Sequence, residues 1–114
     1  MSDPHDDVVR RFAGACRAGD VTGLLDAEVV ALCDGGSVVG PARGADEVGR
    51  LCEVLLCGRP GAELTVESVN GRSGLALRRG GRALAVVAVQ VTATRVGALW
   101  IVIAPAKLAR WHRA

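Results

Sequence analysis

Aromatic side chains and several polar residue types are scarce in this sequence. It has two tryptophans, one phenylalanine and no tyrosine, and Lys107 and Asn70 are its only lysine and asparagine. Alanine, glycine, valine and arginine dominate instead, and GC-rich codons encode all four. We therefore interpret the composition as that of a high-GC bacterial genome, so the excess of arginine over lysine says little about partners.

The chain also lacks a strong charge of either sign and a long apolar run. Its formal net charge is +2, which is too small to indicate nucleic-acid binding. The longest apolar stretch, residues 83–93, contains Gln90 and Thr92 and is too short to cross a bilayer. The first residues, MSDPHDD, are acidic and polar, unlike a signal peptide. We expect a cytoplasmic protein with no membrane partner.

Metal and cofactor motifs are missing as well. The four cysteines form no CxxC pair, and no histidine lies at a zinc-ligand spacing from them. Free cysteine behaves as a small hydrophobic residue, so we expect four free, buried thiols at Cys16, Cys33, Cys52 and Cys57. Neither a phosphate-binding loop nor a nucleophile motif is present. The sequence predicts no metal and no cofactor.

The length of 114 residues, half of them apolar, predicts one globular domain over residues 1–114. Asp3 and Pro4 form a helix start, and Gly19 follows the apolar stripe as a stop. Asp20 predicts the cap of a second short helix. The first half is thus predicted to contain helices over 4–18, 20–27 and 45–57, with strands over 29–33 and 37–39.

The second half has the period and turns of a β-meander. Asn70-Gly71 and Gly80-Gly81 are hairpin dipeptides within four predicted strands over 63–69, 74–79, 82–92 and 96–103. Helices followed by such a meander predict an α+β fold, with three N-terminal helices packed on one face of an antiparallel sheet. Both faces of the strand over 82–92 are apolar, so the uncovered face predicts a homodimer formed through the sheet.

Five segments, in this order, resemble one family. They read RFAGACRAGDVTGLL (11–25), CDGG (33–36), GPARGADEVGRLC (40–52), VNGRSGLALRRGGRALAVVAVQV (69–91) and APAKL (104–108). Together they resemble the SnoaL-like domain of the nuclear transport factor 2-like superfamily, and most closely the C-terminal domain of extracytoplasmic-function RNA polymerase sigma factors. Ser37, Val38, Ala104 and Ala106 depart from that pattern.

The resemblance implies a cone-shaped roll with a curved sheet, also called cystatin-like, and a pocket for a small apolar ligand. It further implies a partner in the transcription machinery, although the sigma regions that bind DNA and polymerase have no counterpart in this sequence. Direct nucleic-acid binding is therefore not expected.

Asp34 lies near the position where ketosteroid isomerase-like relatives keep a general-base carboxylate. Such a base needs an apolar pocket and a partner that stabilises the oxyanion. The relatives use a tyrosine and a protonated aspartate for this, whereas this chain has no tyrosine and its matching strand offers only Gln90. Three roles stay open for Asp34: a turn-forming side chain, a ligand contact and a catalytic base. No catalytic residue is assigned beyond this candidate.

Three further residues are candidates for ligand contacts. Gln90 and Thr92 would be the polar groups of an apolar pocket, or else a polar pair at an edge or interface. Trp100 is predicted to share a face with Val96 and Ala98, either in a core or interface or as a pocket wall.

Basic residues cluster in two places. Arg78, Arg79 and Arg82 flank a hairpin turn and are predicted to be solvated, because no aromatic residues interleave with them for base stacking. The tail KLARWHRA (107–114) is predicted to form a helical cap on the fold, with docking to a partner as the alternative.

Three functions are consistent with these residues. The first is a noncatalytic small-ligand-binding or regulatory module, linked through its relatives to sigma-factor-dependent transcription. The second is an isomerase or polyketide cyclase-like enzyme that uses Asp34 as its base. The third is a dimeric scaffold without a ligand. The absence of tyrosine and of a second acid favours the first.

Overall fold

Two helices pack on one face of a six-stranded sheet in the computed structural model, which describes residues 3–36 and 40–113. The elements are α1 (Pro4–Ala18), β1 (Leu25–Asp34), β2 (Ala42–Arg43), α2 (Ala45–Leu55), β3 (Ala62–Val69), β4 (Arg72–Arg79), β5 (Arg82–Thr92), β6 (Arg95–Val102) and α3 (Pro105–Leu108), with 3₁₀ turns at Thr22–Leu24 and Ala109–Trp111. None of the helices in the described ranges has the length and apolar content that a bilayer crossing needs.

Helix α1 begins and ends where the sequence predicts. The Asp3 carboxylate accepts a hydrogen bond from the backbone N–H of His5 at 2.9 Å, and Pro4 occupies the first turn. Gly19 ends the helix in the left-handed conformation, with a φ of 96°. Val8 and Phe12 lie on its buried face against the sheet.

The predicted second helix over 20–27 is wrong. The Asp20 carboxylate accepts from the backbone N–H of Thr22 at 2.9 Å, which closes a local turn and competes with helix formation. Only one 3₁₀ turn follows, and β1 already begins at Leu25. Gly23 adds the entropic cost that glycine imposes on a helix. The strand predicted over 37–39 lies outside the described residues.

The strands form a single sheet in the order β2-β1-β6-β5-β4-β3. The meander from β3 to β6 is antiparallel, as predicted, but β1 pairs with β6 in parallel. The sheet is therefore mixed rather than antiparallel, and it is not strongly curled, which corrects the predicted cone-shaped roll. Of the three helices, two are N-terminal and the third follows the last strand.

Both predicted hairpin turns are present. Asn70 and Gly71 have φ angles of 53° and 84°, and Gly80 and Gly81 have φ angles of 57° and 83°. Two successive positive φ angles are typical of the type I′ turn, whose twist matches that of the flanking strands.

The sheet has one face toward α1 and α2 and an opposite face, here called the outer face. Two bulges change which residues reach each face. Leu84 of β5 has no partner residue in β4, so the strand bulges there. The extra residue shifts the alternation of side chains, and Ala83 therefore lies on the outer face with Val86. Gly97 is an extra residue of β6 opposite β5, so Val96 enters the core while Ala98 and Trp100 stay on the outer face. The predicted grouping of Trp100 with Val96 is wrong for this reason.

Residues 105–113, here called the C-terminal segment, cover part of the outer face. Leu108 is buried in a second apolar cluster with Val69, Ala76 and Val86, and Trp111 packs against it. The predicted helical cap is thus present, as α3 and the turn that follows it.

A disulfide joins Cys16, at the end of α1, to Cys57, just after α2. The prediction of four free thiols is therefore wrong for these two residues, because the fold brings their Cα atoms to 5.0 Å across 41 residues of sequence. Cys33 and Cys52 are free. Burial raises the pKa of Cys52 to about 12, and burial followed by the Asp34 charge raises the pKa of Cys33.

We expect a thiol titration of the purified, unreduced protein in denaturant to find two free thiols rather than four. Reduction before the titration should release the other two. Because a disulfide that closes a loop of this length restricts the unfolded chain, reduction should lower the free energy of unfolding by about 3–4 kcal/mol. The Cys16→Ser/Cys57→Ser variant serves as the control, since reduction should leave its stability unchanged. Four reactive thiols in the unreduced protein would contradict the pairing.

Candidate functional site

Asp34 ends β1 on the outer face and meets the C-terminal segment there. Its carboxylate accepts a hydrogen bond from Lys107 Nζ at 2.5 Å, and its side chain is 27% exposed. Its backbone carbonyl accepts from the N–H groups of Ile103 and Ala104 at 2.8 and 3.0 Å. Among the described residues, the only hydrogen-bond partner of the carboxylate is Lys107, which is 73 residues away and forms an ion pair with it.

Gly35 permits this close approach of two distant segments. It has a φ of 106°, and a Cβ atom added to it would lie 2.6 Å from the backbone nitrogen of Ala104. Any larger residue would collide with backbone at this point. The CDGG and APAKL segments, which resemble family motifs, are therefore direct neighbours.

Hydrogen bonds from the sheet fix the rest of the C-terminal segment. Arg78 Nε donates to the carbonyl of Trp111 at 2.8 Å, and the N–H of Ala83 donates to His112 Nδ1 at 2.8 Å. The N–H of Arg113 donates to the carbonyl of Gly81 at 2.6 Å. The segment is thus held at both ends, by Lys107 at one and by these three bonds at the other.

A charged cluster on the outer face supports this attachment. Glu67 accepts hydrogen bonds from Arg78, one of them from Nη2 at 3.0 Å, and from Arg113 Nη2 at 3.0 Å. Thr65 Oγ1 also donates to Glu67, at 2.5 Å. The Arg78 bonds, and then the Thr65 bond, lower the pKa of Glu67 from 4.5 to about 2, and the same contact raises the pKa of Arg78.

This cluster corrects one expectation about the basic hairpin. Arg78 was predicted to be solvated, but it is buried and paired with Glu67. Arg79 and Arg82 are exposed, as predicted.

A cavity of about 450 Å³ lies between the C-terminal segment and the outer face. Its apolar wall comes from the sheet and from the segment. Its polar groups are Asn70, Lys107 and Arg110. The full lining is Val69, Asn70, Val86, Val102, Ala106, Lys107, Ala109, Arg110 and Trp111.

The predicted ligand contacts do not line this cavity. Asp34 is at its edge, through the bond to Lys107 and through its pairing with Val102 in the sheet. Trp100 and Gln90 lie farther along the outer face, where neither is covered by the C-terminal segment. Thr92 is exposed at the end of β5. The role of these four residues in ligand binding stays a prediction.

The part of the outer face that the C-terminal segment leaves open is apolar. Trp100 is 52% exposed, and its sheet neighbours are Leu32, which is 44% exposed, and Ala88. Two residues farther along the strands, Ala98 of β6 lies between Val30 of β1 and Gln90 of β5. The outer face is thus divided into a covered half with a cavity and an open half centred on Trp100.

The helix-facing side of the sheet is filled by side chains at its centre. Phe12, Leu75, Val87 and Ile101 are each fully buried there. Sequence reasoning predicted that a pocket would hold Asp34, Gln90 and Trp100, but it could not find the pairing with Lys107, since no local pattern links positions so far apart.

Among the described residues, no three His, Cys, Asp or Glu side chains are placed where they could hold a metal ion.

Several solved structures have a similar fold. The chain is similar to the extracytoplasmic-function sigma factor SigJ of Mycobacterium tuberculosis, with 28% identity over 94% of this chain and a TM-score of 0.68. The fold is nuclear transport factor 2-like and SnoaL-like. An NTF2-like protein of unknown function from Mesorhizobium loti has 15% identity and a TM-score of 0.65, and covers 90% of this chain and 95% of its own.

A SnoaL-like family protein from Agrobacterium tumefaciens shares the NTF2-like fold, with 14% identity and a TM-score of 0.58 over 88% of this chain and 97% of its own. The match to SigJ spans only 44% of that sigma factor's length. Neither a protein-family model nor a curated protein sequence matches the chain.

The Glu67 cluster predicts a specific dependence of stability on pH. Because the pKa of Glu67 is lower in the folded protein, its ionisation stabilises the fold above pH 4.5, and this contribution is lost as the pH falls from 4.5 toward 2. Glu67→Gln should lower the free energy of unfolding at pH 7 by about 2–3 kcal/mol and flatten its pH dependence in that window. Glu28→Gln, at an exposed position of β1 outside the cluster, is the matched control. Equal effects of the two changes in urea unfolding would refute the cluster's role.

Proposed function

We propose that this chain is a noncatalytic, small-ligand-binding module of the SnoaL-like type. The observation that carries the proposal is the pairing of the Asp34 carboxylate with Lys107 Nζ at 2.5 Å. In this pairing one carboxylate oxygen of Asp34 is already occupied by a hydrogen bond from Lys107, whereas a general base needs its carboxylate directed at the proton of a substrate.

The surroundings of Asp34 also argue against an enzyme. In the described chain no second carboxylate and no hydroxyl donor bonds to it, so the tyrosine and protonated aspartate that the isomerase-like relatives use have no counterpart beside it. Phe12 and Val87 fill the centre of the helix-facing side, and the cavity of about 370 Å³ on that side, which Leu64 and Leu77 line, does not include Asp34. These two features favour binding over isomerase or cyclase chemistry.

The cavity under the C-terminal segment supports a binding role. Its volume of about 450 Å³ lies in the range of small-molecule sites. Its wall is mainly apolar, with a few polar groups at the rim, which is the usual composition of such sites.

The test of noncatalysis uses an enolisable β,γ-unsaturated ketone, whose isomerisation to the conjugated enone is followed by absorbance. We expect no turnover above the buffer rate from the wild-type protein, and the same result from Asp34→Asn. The substitution should cost less than about 1 kcal/mol of stability, because the ion pair with Lys107 is partly exposed.

Turnover by the wild-type protein that Asp34→Asn abolishes would overturn this proposal and favour the isomerase. The matched control is Asp26→Asn, since Asp26 lies on the same strand outside the bond to Lys107.

A second proposal concerns the open half of the outer face, which we infer to be the contact surface of a homodimer. Trp100 and Leu32 are adjacent, apolar and exposed, and an apolar sheet face of this kind is costly to leave in water. A second copy would present the same two side chains, so that a two-fold axis near Trp100 would bury both pairs.

Analytical ultracentrifugation over a range of concentrations tests the dimer. Trp100→Ser should weaken the dimer at least about tenfold, because a buried interface tryptophan contributes about 2 kcal/mol or more. Val54→Ser, which changes an exposed apolar residue of α2 that is 70% exposed, should have no effect.

A monomer at every concentration would refute the dimer. If Trp100→Ser then weakened binding to a purified extracytoplasmic-function sigma factor or to RNA polymerase, the face would belong to a partner in transcription, as the similarity to SigJ suggests.

A further inference from the structure

The charged side chains that line the cavity under the C-terminal segment are both cations, and Asp34 lies at its edge in an ion pair with one of them. Lys107 and Arg110 line it, and the described lining contains no Asp or Glu. Four other cavities of this molecule, of about 370, 310, 410 and 320 Å³, each combine acidic with basic side chains in their lining. The cavity under the segment therefore differs from them in the charge that it offers to a ligand.

The two cations are not equally available. Lys107 is bonded to Asp34, although its own side chain is 62% exposed. Arg110 is exposed on the turn after α3 and forms no ion pair within the part of the chain that the structure describes. Arg110 thus has its guanidinium donors free for an anion, and the exposed ammonium of Lys107, which Asp34 partly neutralises, lines the same cavity.

The opposite wall of the cavity is apolar and rigid. Val69 and Val86 are buried residues of β3 and β5, and Val102 is a half-buried residue of β6. Trp111 closes the cavity from the segment, and its carbonyl is fixed by the bond from Arg78 Nε. A ligand would meet fixed branched side chains on the sheet and an indole from the C-terminal segment.

We propose that this cavity binds a small apolar molecule that carries one anionic group. The apolar part contacts Val86, Val102 and Trp111, and the anionic group lies against Arg110 and Lys107. The inference rests on the proposed binding function and specifies both its site and its ligand class. The site is on the sheet face opposite α1 and α2.

This arrangement also connects the ligand to the attachment of the C-terminal segment. Arg110 and Trp111 belong to the segment, whereas Val86 and Val102 belong to the sheet. A molecule in contact with both would hold the segment on the sheet, and binding would therefore stabilise the folded protein by mass action.

The experiment uses two fluorescent probes of similar shape that differ in charge. 1-Anilinonaphthalene-8-sulfonate is an apolar anion, and N-phenyl-1-naphthylamine is its neutral counterpart. We expect the wild-type protein to bind the sulfonate at least about tenfold more tightly than the neutral probe, since a hydrogen bond to a charged group contributes about 1.5–3 kcal/mol.

The variant Lys107→Gln/Arg110→Gln should reduce affinity for the sulfonate at least about tenfold and change affinity for the neutral probe less than about twofold. Arg10→Gln/Arg50→Gln removes the same net charge from exposed helix positions and should leave both affinities nearly unchanged. Ala109→Phe, at an exposed position of the cavity lining, should fill the cavity and lower the affinity for both probes.

Three results would overturn the inference. Equal affinity for the two probes, or equal effects of Lys107→Gln/Arg110→Gln and Arg10→Gln/Arg50→Gln, would exclude an anion-selective site. Loss of sulfonate binding in Trp100→Ser, with no loss in Ala109→Phe, would assign binding to the open half of the outer face. None of these results changes the outcome of the ketone isomerisation assay, so a wrong ligand class can be told from a wrong function.

Discussion

The strand β5 is apolar on both of its faces, and most of the structure follows from the need to cover both. Val87 and Val89 face α1 and the core, whereas Val86 and Ala88 face outward. Helices α1 and α2 cover the first side. The C-terminal segment covers half of the second, and its Leu108 is as deeply buried as the core residues. The cavity and the open apolar surface both result from this incomplete cover.

The attachment of the C-terminal segment combines burial with paired charges. Leu108 and Trp111 supply apolar contact, while Glu67, Arg78 and Arg113 form a network at one end. Such a network stabilises best when each member is satisfied, because a buried charge without a partner is costly. The network thereby fixes Trp111 at the wall of the cavity.

Local signals in the sequence predicted the local structure well. Asp3, Pro4 and Gly19 predicted α1, and Asn70-Gly71 and Gly80-Gly81 predicted the meander, because each signal acts within a few residues of itself. Asp20 led to the wrong prediction of a second helix. An aspartate that caps a helix and one that forms a turn both accept a hydrogen bond from the backbone N–H two residues later, so the residue alone does not distinguish them.

Features that depend on distant residues could not be predicted in this way. The disulfide between Cys16 and Cys57, the parallel pairing of β1 with β6 and the bond from Lys107 to Asp34 each join positions that are far apart in the chain. The bulges at Leu84 and Gly97 place neighbouring side chains on the face of the sheet opposite to the one that strict alternation predicts, because a one-residue slip moves a side chain to the other face. The types of residue at the candidate site could therefore be predicted, but their positions and contacts could not.

Lys107 gives this site a chemical property that the rest of the chain does not share. It is the only lysine of the sequence, and its side chain is largely exposed beside Asp34 at the rim of the cavity. Amine-directed acylation of side chains is consequently confined to this position. A reporter group attached there would be adjacent to the contact between the C-terminal segment and the sheet, without any engineered residue.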